Sequence, residues 1–212
     1  MHLPDGFLSP ELWIPLDLTA AGALWLAARR AAPELEPEKV PLMGVMGAFV
    51  FAAQMINVPV ASGTSGHLTG AVLLSVLLGP HLAATVMAAV LIVQCLLFQD
   101  GGLTALGANI LHMGFVGAYG GYAATTLGRR LLPGAWGARV GVALGCWASV
   151  VLASLLVAVE LALSGVVELR PALVAMGGVH AVIGVGEAAL TLAVLSALHK
   201  LRPGLVPGWA GA

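Results

Sequence analysis

The chain has 212 residues, of which 59% are hydrophobic and 9% charged, and its formal net charge is -1. An average soluble domain carries roughly a quarter charged residues, so a water-soluble globule is excluded and an integral membrane protein is expected. The near-neutral balance also removes the usual signs of a nucleic-acid partner or a strongly polarised surface.

The chain begins MHLPDGFL. No basic stretch and no small-residue cleavage site follows, so Met1 is expected to remain the mature terminus. Methionine is trimmed mainly when the next side chain is small, and His2 is not. Pro4, Asp5 and Gly6 predict a turn. Beyond them, apolar stretches bounded by Pro, Gly or charge predict an all-α membrane bundle of about seven helices, near 11–29, 41–56, 64–78, 81–98, 107–127, 139–162 and 171–199. Residues 40–99 contain no Asp, Glu, Lys or Arg, a run long enough for three crossings at about 20 residues each.

The third segment is short for a crossing, so it is expected either to tilt or to be entered from a loop that dips into the protein. The preceding NVPVASGTSGH supports a loop, since Pro59, Gly63 and Gly66 break regular structure. Backbone of that kind at membrane depth has to be covered by protein. No repeat or domain break interrupts the pattern, and residues 1–212 are expected to form a single integral-membrane domain. Cys95 and Cys146 lie in apolar stretches and read as small hydrophobes.

Seven crossings place Arg29, Arg30, Lys39, Arg129, Arg130, Arg139, Lys200 and Arg202 on one side and Arg170 alone on the other. The bias of basic residues toward the cytoplasm then predicts an outside N-terminus and a cytoplasmic C-terminus. His2, the loop ending at His67 and the 100–109 loop fall on the outer face, and His81 on the inner. Stripes of small residues at Thr19, Ala23 and Ala27 and at Gly44, Ala48 and Ala52 suit close helix approach, to neighbours or to a partner protein.

A free amine followed by histidine is a chelator. The amine, the deprotonated His2 amide and the His2 Nδ1 close a five- and a six-membered ring, giving three coplanar nitrogens. One more imidazole completes a square suited to Ni(II) or Cu(II), with Co(II) also drawn to nitrogen. His67 is the outer-face candidate, in a Gly/Ser/Thr-rich loop whose hydroxyls can orient a ligand. Taken singly, a histidine at position 2 is more often an accident of sequence, and one beside glycines more often an ordinary hydrogen-bonded loop residue; on the same face the two support each other.

Three segments, MHLPDGFL, VPVASGTSGHLTG at 58–70 and QDGGLTALGANILHMG at 99–114, resemble the signature segments of the CbiM/NikM family. These are the substrate-specificity (S) membrane components of energy-coupling-factor nickel/cobalt importers, and the likeness runs across essentially the whole chain. The resemblance implies a metal held by the Met1 amine, the His2 amide and imidazole, and His67. Thr64, Ser65 and Asn109 would stand behind those ligands. It implies Ni2+ or Co2+ as transported substrate, in the inner cell membrane. The implied partners are a transmembrane coupling (T) subunit, two ATP-binding subunits and a further small membrane protein that helps load the metal. Leu3 and His112 depart from the family pattern, His112 standing where an uncharged polar residue is expected.

No GxxxxGK[ST] motif occurs, so ATP hydrolysis is expected from partners and the chain itself is not read as an enzyme. The rival reading is an intramembrane zinc metalloenzyme using His112, His180 and Glu187, with no H-E-x-x-H spacing to support it. A passive channel or structural subunit is a third, and leaves His2 idle. Ionisable residues inside spans are functional suspects, and Glu160, Glu187, His180 and Asp17 are noted on that ground, with Asp100 beside them in the loop.

Overall fold

Proline opens two of the helices, where its missing N–H costs nothing and its fixed φ suits the first turn. The computed structural model describes residues 1–59 and 65–209. Helix α1 (Pro10–Ala31) starts on one such proline and α4 (Pro80–Phe98) on another. Between them lie α2 (Lys39–Gln54) and α3 (Ala71–Leu78). Helix α5 runs as Leu106–Asn109 in α form, Ile110–Val116 in π form and Gly117–Leu131 in α form again. The chain continues into α6 (Gly134–Leu163) and α7 (Leu169–Leu201). Among the described residues this makes the seven helices expected, and α4, α6 and α7 are each long and apolar enough to cross a membrane.

The third helix departs from its expected extent. It begins at Ala71, not 64, and all eight of its residues are buried. At about 1.5 Å per residue it reaches roughly 12 Å, well short of a bilayer core of about 30 Å. Residues 65–70 descend into the protein without helical bonds, so the dipping loop is what the chain adopts. Its upper end is a two-residue antiparallel ribbon, Val58 opposite Gly66 and Pro59 opposite Ser65. Gly70, at φ 72°, turns the chain into α3, and a Cβ there would press on Val50 at 2.7 Å. Gly79, at φ 84°, turns it out into α4.

Helix α3 is thus a plug, packed against α4 and α5. Beneath it, at the end where α1 stops, a cavity of about 660 Å³ is lined by Glu34, Glu36, Glu38, Lys39, Arg129 and Arg202 among others. Those charged residues from distant parts of the chain share one end of the bundle. The Gly44, Ala48 and Ala52 stripe of α2 faces outward, whereas the stripe on α1 is divided, Ala27 buried and Thr19 exposed.

Helices α5 and α6 approach closely where glycines face each other. A Cβ on Gly141 would lie 2.6 Å from the Ala124 carbonyl oxygen and 2.8 Å from the Thr125 Cα. In a bundle whose exterior is as apolar as its interior, such contact supplies much of the association energy. Gly141→Val should therefore destabilise the bundle by about 1–3 kcal/mol, read as a lower thermal unfolding midpoint in detergent. An unchanged midpoint would mean that these helices do not touch.

Candidate metal centre

The first residues do not wave free. Met1 and Leu3 are 3% and 2% exposed, and the tail is seated by side chains and backbone from the turn before α5. The Leu3 N–H donates to Asn109 Oδ1 at 2.9 Å, and Asn109 Nδ2 donates back to the Leu3 carbonyl at 3.1 Å. The Gly102 N–H reaches the same carbonyl at 2.8 Å. Thr104 donates its N–H at 2.8 Å and its hydroxyl at 2.6 Å to Asp5 Oδ1. These donors hold the Asp5 carboxyl below its ordinary range. Glycine at 102 is required by space, because a Cβ there would collide with the Asp5 nitrogen and the Pro4 carbonyl carbon.

Seated in this way, the His2 ring lies beside His67, with ring centres 4.6 Å apart and planes at 49°. Met1 and His2 are thereby brought together with His67, which is far from them in sequence. His67 is 1% exposed. Its Nδ1–H donates to the Leu68 carbonyl at 2.8 Å; since a carbonyl only accepts, Nε2 carries the lone pair. That Nε2 is buried with no hydrogen-bond partner, and so is the Nε2 of His2. The lone pair on His67 Nε2 is costly in so dry a place unless something electrophilic meets it, whereas the free nitrogen of His2 is Nε2 and not the Nδ1 that a chelate with the Met1 amine would use.

Burial dominates the protonation of the tail. It draws the Met1 amine from 8.0 down to about 5 and the His2 imidazole from 6.5 down to about 4, in both cases against the nearby Asp100. Both groups are neutral donors at pH 7. Asp100 approaches His2 with its carboxylate, Oδ1 to Nδ1 at 3.8 Å, and with its carbonyl, which accepts from Nδ1 at 3.1 Å. Closing a chelate through Nδ1 requires the ring to give up that carbonyl and its proton.

The supporting residues divide. Asn109 pins Leu3, next to the proposed ligands. Ser65 contributes ribbon backbone beside Gly66, and Thr64 lies outside the described residues. His180 presses on the same segment from α7: a Cβ on Gly66 would lie 3.1 Å from its Nε2, while its Nδ1–H donates to the Met176 carbonyl at 2.7 Å. The Thr69 carbonyl accepts from Gln54 Nε2 at 2.7 Å, and Gln54 Oε1 accepts from Gln94 at 2.8 Å. Sequence reasoning missed both glutamines. The available signal was that Gln54 and Gln94 are amides within a charge-free apolar run.

The trio of the zinc-enzyme rival is scattered. His112 meets Glu160, Nε2 to Oε1 at 2.8 Å, His180 meets Met176, and Glu187 accepts from Thr69 and Gly70. Among the described residues no three His, Cys, Asp or Glu side chains converge as metal ligands. Asp17 faces protein, its Oδ1 accepting the Gly107 N–H at 2.7 Å at the start of α5.

A family model described as CbiM, cobalt uptake substrate-specific transmembrane region, matches residues 2–205. A cobalt transport protein CbiM of Sorangium cellulosum is 35% identical over 215 residues, covering 97% of this chain and 94% of its own length. A fused nickel transport protein NikMN of Rhodobacter capsulatus is 36% identical over 168 residues, 76% of this chain and 46% of its own. A crystal structure of a truncated transition metal transporter superposes with a TM-score of 0.88 at 33% identity, covering 95% of this chain and 99% of that one.

The seat of the tail can be tested without metal. Asn109→Leu keeps the branched shape and removes both bonds to Leu3, leaving a buried N–H unserved at a cost of about 1–3 kcal/mol. The terminal amine should then acylate roughly tenfold faster or more at neutral pH, about 1.4 kcal/mol of lost seating per factor of ten. Equal labelling rates in the two proteins would show that Asn109 does not hold the tail.

Proposed function

The chain belongs to the CbiM family, the cobalt-uptake substrate-specific transmembrane region, and on that premise we propose that it is the substrate-capture subunit of an energy-coupling-factor importer of Ni2+ or Co2+. One observation carries the reading: the N-terminal tail turns into the bundle and brings the His2 ring to 4.6 Å from His67. The ligands are the Met1 amine, the His2 amide nitrogen and Nδ1, and one nitrogen of His67. A dication on a neutral amine, an amidate and two neutral imidazoles carries one net positive charge. Asp100, at 3.8 Å from His2, stands where it balances that charge.

The N-terminus faces outward and the charged end of the bundle, with Lys39, Arg129 and Arg202, faces the cytoplasm of the inner cell membrane. The chain works as one domain, 1–212. Energy comes from two ATP-binding subunits acting through a transmembrane coupling subunit, and a small accessory membrane protein assists loading. Release inward follows when His67 is withdrawn from the tail, since three nitrogens hold the ion less tightly than four.

Two measurements test this. The purified chain should bind a single Ni(II) with a square-planar visible band. One residue added ahead of Met1 should abolish binding by removing the amine from the chelate. His67→Ala should weaken binding on the order of a hundredfold and move the band. Retention of metal by the extended chain would sink the reading.

The pH dependence has a definite sign. Burial has already cleared protons from the Met1 amine and His2 above about pH 5, so near neutrality only protons displaced by chelation itself, the amide proton above all, oppose binding. Affinity should rise by about tenfold per pH unit through the neutral range. As pH falls through about 5 the amine takes up a proton and the slope should steepen. A flat profile in titration calorimetry would exclude the amidate as a ligand.

A further inference from the structure

We propose that Glu187 is the positioning residue for His67: from α7 it grips Thr69 and Gly70 and so sets where the imidazole presents its lone pair. The proposal rests on the metal site argued above. Glu187 is 1% exposed. Its Oε2 accepts the Thr69 N–H at 2.6 Å, and its Oε1 accepts the Thr69 hydroxyl at 2.6 Å and the Gly70 N–H at 3.0 Å. Three donors from two consecutive residues converge on one side chain.

These donors need a partner because residues 67–70 run without helical bonds inside a bundle, where water cannot serve them. Side chains from three helices supply the need: Glu187 from α7, and Gln54 of α2, itself backed by Gln94 of α4, at the Thr69 carbonyl. With its N–H, hydroxyl and carbonyl all engaged, Thr69 has one seat. One residue, Leu68, separates it from His67, and the His67 ring is tied to the Leu68 carbonyl by its own Nδ1–H. The clamp therefore reaches the ring through two fixed links. Upstream, His180 and Ile183 of α7 close on Gly66, leaving no room for a Cβ. His180 and Glu187, seven residues apart, lie on one helix face, so a single helix supports the segment on both sides of His67.

A double-mutant cycle on the full chain in detergent, with Ni2+ as probe, tests the assignment. Glu187→Gln keeps the volume but cannot accept all three bonds as well. It should weaken Ni2+ binding about ten- to a hundredfold, the range seen when a ligand's orienting partner is removed, and move the visible band toward that of His67→Ala. In the His67→Ala background, which keeps the three-nitrogen chelate, Glu187→Gln should cause no further loss. Thr69→Val, which removes the hydroxyl donor and leaves Glu187, should act in the same direction by about threefold and with the same non-additivity; it decides the matter should Glu187→Gln fail to fold.

Unchanged affinity and band would overturn the proposal. An equal loss in both backgrounds would also overturn it, for the carboxylate would then act by charge or on the whole fold and not through His67. These failures differ from failure of the metal site itself, which is read from the wild-type chain extended by one residue ahead of Met1.

Discussion

Backbone buried outside regular structure must find its hydrogen bonds in protein, and two strips with that need meet in this molecule. One is the tail that runs from buried Met1 out to exposed Asp5, the other the descending segment 65–70. Neither strip has a regular ladder over its whole length, so side chains complete the pairing: Asn109 and Thr104 for the first, Glu187 and Gln54 for the second. Because the Leu3 N–H and carbonyl, the Asp5 carboxylate, the Thr69 N–H, hydroxyl and carbonyl and the Gly70 N–H each have a partner, the two strips have fixed positions. Histidines carried on them inherit that precision, which loops on a wet surface would not provide.

The chemistry follows from dryness. A terminal amine in water is protonated at neutral pH, and burial here reverses that state. The same burial leaves lone pairs on His2 and His67 with nothing to accept. A transition-metal cation is the one kind of partner that would satisfy an amine, an amide and two imidazoles in a plane. Asp100 places its carboxylate 3.8 Å from His2 Nδ1 and engages the same nitrogen with its carbonyl. Glycines at 101 and 102 let the tail come this close, and a Cβ at 101 would lie 3.3 Å from His2 Nδ1.

Helix α3 separates this pocket from the charged cavity at the opposite end of the bundle. Its eight buried residues are bracketed by Gly70 and Gly79, both with positive φ, so the plug is defined at each end by a turn that a side chain would strain. The segment above it is held from α7. The position of His67 and the seating of the plug are thus mechanically joined through Thr69 and Gly70.

Much of this was legible in the sequence. Apolar runs punctuated by Gly, Pro and charge located the helices to within a few residues. The unusual Met-His-Leu-Pro-Asp-Gly start, with the two later segments, singled out Met1, His2 and His67, which the structure brings together, and Asn109, which pins Leu3, along with Ser65 and Thr64. The sequence could not show that residues 67–70 refuse the helix, because Leu68 and Thr69 are acceptable helix residues and the bonds that hold them come from Glu187 and Gln54. Nor could it show that His112 belongs with Glu160 and Glu187 with Thr69. Composition decided that the chain lives in a membrane and how often it folds back, since transfer of apolar surface depends on the residues alone. Which polar groups meet inside was decided by tertiary structure, because within an apolar bundle a polar side chain goes wherever an unserved donor or acceptor comes within reach, at any distance along the chain.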